Sequence, residues 1–264
     1  MRLSNTFLLF AVGLTQLMGG ALAKAEDQRS GIAYVRSGSE TLPGYFYKPE
    51  GKGPFPAIVM VPSASKPAND MKPPYQEMAK AFTSRGYVVM VPAWHWPIEF
   101  VHENAAKNRR MTLPEFQGIA RYIAAAVTWS KGQSFVDEER VSVMGHATGG
   151  ILIMLLAEQE IGVRSYVAFS PAAAIWSDRQ DLQKAFVNSV RESKVPIFLI
   201  QAQNDFCLGP SEVLGAELAH KGDLSFSKVY PPFGTTREQG NTFAVAGSSV
   251  WGDDVFKFLQ RSMN

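Results

Sequence analysis

Gly145-His146-Ala147-Thr148-Gly149 sets two glycines around a central position, the spacing at which a G-x-S-x-G turn presents a serine hydroxyl for attack on an acyl carbon. The glycines serve the backbone, because a sharp strand-to-helix turn has little room beside the displayed residue. Alanine occupies the displayed position, so the geometry of the turn is retained and its hydroxyl is absent. An acid for such a constellation should follow at the end of a later strand. Asp205 is the only carboxylate between the apolar run beginning at Phe198 and Pro210.

Placing these residues requires alternating strands and helices. Short β-branched runs at 57–61, 87–91, 140–144, 165–168, 197–201 and 227–230 predict parallel strands, and their continuous apolar character suits a sheet covered on both faces. Segments 31–36 and 42–48 read as an antiparallel lead-in at the sheet edge. Between the strands, Tyr75, Met78, Ala79 and Phe82 share one helical face, as do Phe116, Ile119, Ala120, Ile123 and Val127. Trp251, Val255, Phe258 and Leu259 repeat the pattern near the end of the chain. These stripes read as core surface without a binding role. The fold class is α/β, a doubly wound, mostly parallel sheet with its ligand crevice beyond the carboxyl ends of the strands. In it, 141–144 is the strand before the glycine turn and 150–159 the helix after it.

Met1-Arg2, an apolar run from Phe7 to Leu22 broken by polar residues and glycines, and Ala21-Leu22-Ala23 read as a secretory signal cleaved after Ala23. Its polar breaks argue against a permanent membrane span. The expected product is a secreted or periplasmic chain, with 24–264 forming one domain and no linker or repeat dividing it. A net charge of +2 with dispersed basic residues gives no support for nucleic-acid binding. Cys207 is the only cysteine, so stability must come from the core instead of an intrachain disulfide.

The segment from Lys228 to Phe243 brings in a resemblance. Tyr230-Pro231-Pro232-Phe233-Gly234-Thr235-Thr236-Arg237-Glu238-Gln239-Gly240-Asn241 is similar to the closing pattern Y-P-x-F-G-T-T-H-E-Q-G-H of secreted members of the dienelactone hydrolase family of α/β-hydrolases. The likeness extends through Gln201-Ala202-Gln203-Asn204-Asp205, Leu208-Gly209-Pro210-Ser211-Glu212-Val213-Leu214 and Ser248-Ser249-Val250-Trp251-Gly252. It implies an α/β-hydrolase fold and hydrolysis of carboxylic esters or lactones without a cofactor. It also implies that Asn241 stands at the base position, where the family has histidine, and Ala147 at the nucleophile position. Of that triad only Asp205 remains. An H-G pair in the family corresponds to the loop Val61-Pro62-Ser63-Ala64-Ser65, which would lend one N–H to an oxyanion hole. Pro62 has no N–H and Ser63 lacks a glycine's freedom, so the amide of Thr148 is the donor expected to remain.

Other residues of the expected crevice have competing readings. Thr148, Ser63, Ser65 and Cys207 are the candidates for a displaced nucleophile, although a residue one place along a tight turn points elsewhere and a helix-start threonine commonly serves the helix terminus. His146 reads as packed beside the crevice, and His220 as closing a surface helix. Trp94, His95, Trp96, Phe100, His102 and Glu103 form an aromatic and histidine cluster after the second core strand, either a pocket lining or a loop packed over the sheet. Their spacing does not support a metal site, and none is expected. Arg237 is expected either to pair with Asp205 or to hold a ligand carboxylate.

Two functional expectations follow. The leading one is a hydrolase-fold protein that binds a small ester, lactone or carboxylate without turning it over. The alternative is an active ester or lactone hydrolase with a displaced nucleophile. A purely structural role predicts neither binding nor turnover. Losing a triad nucleophile or base costs about 10⁶ in rate, which favours the first.

Overall fold

The computed structural model describes residues 29–63, 73–94, 110–222 and 224–264. The expected signal sequence and Ser65, His95, Trp96, Phe100, His102 and Glu103 lie outside the described residues.

Among the described residues, eight strands, numbered in chain order, form one sheet in the order β1-β2-β4-β3-β5-β6-β7-β8. Strands β1 (Ser30–Ser37) and β2 (Glu40–Tyr47) are an antiparallel hairpin, turned at Gly38 with φ 60°, and β2 lies antiparallel to β4 (Val88–Pro92). The rest is parallel: β3 (Phe55–Val61), β5 (Val136–His146), β6 (Tyr166–Phe169), β7 (Ile197–Ala202) and β8 (Phe226–Tyr230). The antiparallel lead-in and all six expected core strands are therefore present. β5 is longer than expected because it extends back to Val136, which pairs with Phe55 across an irregularity in the ladder.

Among the described residues the α-helices are α1 (Pro73–Thr83), α2 (Leu113–Lys131), α3 (Thr148–Leu156), α4 (Gln180–Glu192), α5 (Gly209–Leu218), α6 (Arg237–Asn241), α7 (Phe243–Ala246) and α8 (Ser248–Met263). The helix after the glycine turn thus begins two residues before the expected 150 and ends before 159. The alternation of strand side chains divides the core in two. Ala57, Val59 and Val61 of β3 pack with α2, α3 and α4 on one face, whereas Ile58 and Met60 pack with α1 and α8 on the other. The same split separates Ile197 and Leu199 of β7 from Phe198 and Ile200. With both faces covered, polar chemistry is left to the loops at the strand ends.

Candidate active site

The turn between β5 and α3 is built by close backbone contact. Ala147 adopts φ 50° and ψ −108°, a conformation L-residues rarely take. It is held there because its N–H donates to the Phe169 carbonyl at 2.9 Å and its carbonyl accepts from Ile151 N at 3.0 Å. A Cβ on Gly145 would lie 2.5 Å from the Gly149 oxygen. One on Gly149 would lie 2.2 Å from the Val61 oxygen and 2.5 Å from that of Pro62. Both glycines are therefore required by sterics, and the end of β3 is pressed against the turn.

Asp205 follows β7 and is buried, 8% exposed. Its Oδ1 accepts from the Asn241 side-chain amide at 2.9 Å and from Phe206 N at 2.8 Å, and its Oδ2 accepts from Gln201 Nε2 at 2.8 Å. Since an ionised carboxylate only accepts, Asn241 must turn its nitrogen toward it. Gln201 is fixed in turn, donating also to Cys207 O and accepting from Ser211 N. Asn204 fastens the loop that carries Asn241, donating to Phe233 O and Thr236 O and accepting from Phe233 N. The G-T-T-x-E-Q-G run of that loop makes a capping box at α6: Thr236 Oγ1 accepts from Gln239 N, and Gln239 Oε1 accepts from Thr235 N and Thr236 N.

A second polar chain meets the first at Asn241. Ser63 N–H donates to Tyr75 Oη at 2.8 Å, Tyr75 Oη lies 2.9 Å from His146 Nδ1, and His146 Nε2 lies 2.8 Å from the Asn241 carbonyl. In a neutral imidazole only one assignment satisfies these contacts: Nε2–H donates to the carbonyl, and Nδ1 accepts the phenol proton. Tyr75 is 5% exposed, and burial pushes its hydroxyl up to about 12, so it remains a neutral donor and acceptor.

The structure brings Ala147, His146, Asn241, Asp205 and Ser63 into one hydrogen-bonded neighbourhood. Of the two expectations for Arg237, pairing with Asp205 is corrected: its guanidinium lies 3.1 Å from Glu238 and 5.1 Å from the Phe206 ring centre instead. Asp205 needs no such partner, because Gln201, Phe206 N and Asn241 already donate to it. Trp94 is buried in the core and braces the loop after β3, its indole N–H donating to Pro62 O at 3.2 Å. Thr148 opens α3, as a helix-start threonine should, and Cys207 Sγ accepts from Gly209 N at 3.3 Å. His220 is exposed just beyond α5. Sequence reasoning missed the role of Tyr75, whose ring lies in the expected apolar stripe but whose hydroxyl reaches the site. Its phenol was the available signal, since a buried hydroxyl needs a partner. Among the described residues there is no cluster of three or more His, Cys, Asp or Glu able to hold a metal, and no helix long and apolar enough to cross a membrane.

The sequence matches the dienelactone hydrolase family over residues 42–233, from within β2 to the loop after β8. The chain belongs to that family. Comparison with curated protein sequences returned no match. Among solved structures, a dienelactone hydrolase from Anabaena variabilis is similar at 16% identity and TM-score 0.62, covering 87% of this chain and 98% of that one. The α/β hydrolase GrgF from a Penicillium species gives 15% and 0.64, covering 89% and 99%. Est1E from Butyrivibrio proteoclasticus gives 14% and 0.63, covering 87% and 99%. At such identities the neighbours show the α/β-hydrolase fold, which the mixed eight-stranded sheet shares.

Proposed function

We propose that this member of the dienelactone hydrolase family binds a small ester, lactone or carboxylate without turning it over, with Ala147 at the nucleophile position and Asn241 at the base position. The observation that carries the reading is the 2.9 Å bond from the Asn241 amide to Asp205. An asparagine there gives the acid the donor that an imidazole would give, yet its other end cannot take up a proton near neutral pH. At Ala147 there is no hydroxyl to activate. Loss of either partner alone costs about 10⁶ in rate, equivalent to about 8 kcal/mol of barrier, and loss of both costs little more. Cys207 Sγ is bonded to a backbone N–H and Thr148 opens a helix, and among the described residues no hydrogen bond joins either side chain to a histidine or a carboxylate.

The same reading takes 1–23 as a secretion signal and 24–264 as one exported domain, which sequencing the N-terminus of the exported protein checks. The function is tested by assaying short acyl esters and a lactone with the unaltered chain and with Ala147→Ser/Asn241→His. The expected result is silence in the first and turnover in the second, with either single change giving little. Saturable turnover by the unaltered chain that disappears on changing Ser63, Thr148 or Cys207 would overturn the reading.

A further inference from the structure

We propose that Tyr75 is an internal latch on the oxyanion cradle, its hydroxyl occupying the hydrogen-bonding position at Ser63 N–H that a ligand carbonyl oxygen would otherwise take. This rests on the reading above, in which the crevice beside Ala147 receives an acyl group. In this fold a cradle for such oxygen combines the N–H after the displayed residue, here Thr148, with one from the loop after β3. Pro62 has none, so Ser63 supplies the next amide. The Pro62–Ser63 peptide is oriented from both sides: its carbonyl accepts from Trp94 Nε1 at 3.2 Å and lies against Gly149, and its N–H donates to Tyr75 at 2.8 Å. Tyr75 is held by His146, the residue immediately before Ala147, which is itself 6% exposed and bonded to the Asn241 carbonyl. The phenol oxygen thus sits between the loop donor and the turn, fixed by partners on two other elements.

The latch leaves the Thr148 amide as the cradle donor open to a ligand and withholds the second. Because this contact matters most where negative charge develops on oxygen, releasing it should act on kcat more than on KM. A phenylalanine at 75 keeps the ring beside His146, 6.4 Å between ring centres, and removes the hydroxyl that accepts from Ser63 N–H and donates to His146 Nδ1.

The experiment adds Tyr75→Phe to the Ala147→Ser/Asn241→His protein and measures kcat and KM for p-nitrophenyl butyrate. It also follows the Ser63 amide of the otherwise unaltered chain by NMR, with and without Tyr75→Phe, during titration with butyrate. Expected are a rise of tenfold or more in kcat with KM within twofold, and a Ser63 amide that exchanges at least tenfold faster and responds to butyrate only in the phenylalanine protein. Turnover by the triple variant where the double variant has none supports the latch as well. An active double variant whose kcat is unchanged by Tyr75→Phe overturns the latch and leaves the proposed function standing. If neither repaired protein turns over, the NMR arm decides: a butyrate response supports the latch while counting against the triad alignment, and no response overturns it.

Discussion

Replacing Ala147 with glycine should stabilise the protein. At φ 50° and ψ −108° this alanine occupies a conformation that crowds its Cβ, and such positions store about 1–3 kcal/mol. Glycine adopts the same angles without that penalty but loses about 0.5–1 kcal/mol more conformational entropy on folding. Ala147 is only half-buried, so deleting its methyl gives up little apolar contact. The difference is a gain of about 1 kcal/mol, which for a chain of this size corresponds to a Tm increase of about 2–4 °C. The hydrogen bonds that impose the angles, to Phe169 O and from Ile151 N, involve backbone atoms and survive the change. Thermal unfolding and urea titration measure the effect, with the urea m-value expected to stay constant. A glycine variant less stable than the parent by 1 kcal/mol or more would refute the reasoning, since it would mean that the turn does not strain this residue. The prediction also bears on function, because a strained turn is useful for displaying a hydroxyl and alanine displays none.

Gly149→Ala should cost about 3 kcal/mol, because its Cβ would meet two backbone oxygens at 2.2 and 2.5 Å that no side-chain rotation can move; equal urea midpoints for variant and parent would contradict this. Asn241→Leu should destabilise by about 1–3 kcal/mol by leaving a buried carboxylate short of a donor, and Asn241→His should be tolerated better, which parallel urea titrations of the two variants check. Stability should fall as pH rises from 10. The folded state holds the Tyr75 proton to about 12 against an ordinary 10.0, so more protons are bound folded than unfolded in that window. The loss reaches about 2 kcal/mol by pH 12, and Tyr75→Phe should flatten that part of the slope in urea titrations from pH 9 to 12. An unchanged slope would show that this hydroxyl titrates as it does in water.

The strands and the turn were legible because each is written in local chemistry. Val141, Val143 and Met144 form an apolar run, and Gly145 and Gly149 stand where a Cβ would meet backbone. The loop bearing Asn241 was legible through its resemblance to the family's closing pattern, whose Thr235, Thr236 and Gln239 form hydrogen bonds within a few positions of one another. Tyr75 was not legible as a site residue, because its spacing with Met78, Ala79 and Phe82 describes only the direction of its ring. The hydroxyl's partners, Ser63 and His146, come from the loop after β3 and the end of β5 and are 12 and 71 positions away. The pairing expected between Arg237 and Asp205 fails for a related reason. Charge alone suggested Asp205, but its immediate neighbour Glu238 offers a carboxylate at lower cost in ordering a long side chain, and the buried acid has neutral donors instead.

Position and chemistry are therefore separable at this site, and Asn241 shows why. A buried carboxylate after β7 constrains what can stand opposite it, since an apolar residue would leave its Oδ1 one donor short. Among uncharged side chains, asparagine matches the donor face of an imidazole at hydrogen-bonding distance while placing a carboxamide oxygen where the basic nitrogen would be. The Asn241 backbone carbonyl also accepts from His146, so the residue ties Asp205 to the turn whatever its side chain can do as a base. Selection for a stable loop alone would accept either residue, whereas selection for proton transfer would not. On the proposed reading, Asn241 at this position, together with Ala147 on an otherwise intact turn, is what a fold retained for geometry and relieved of acyl transfer should contain.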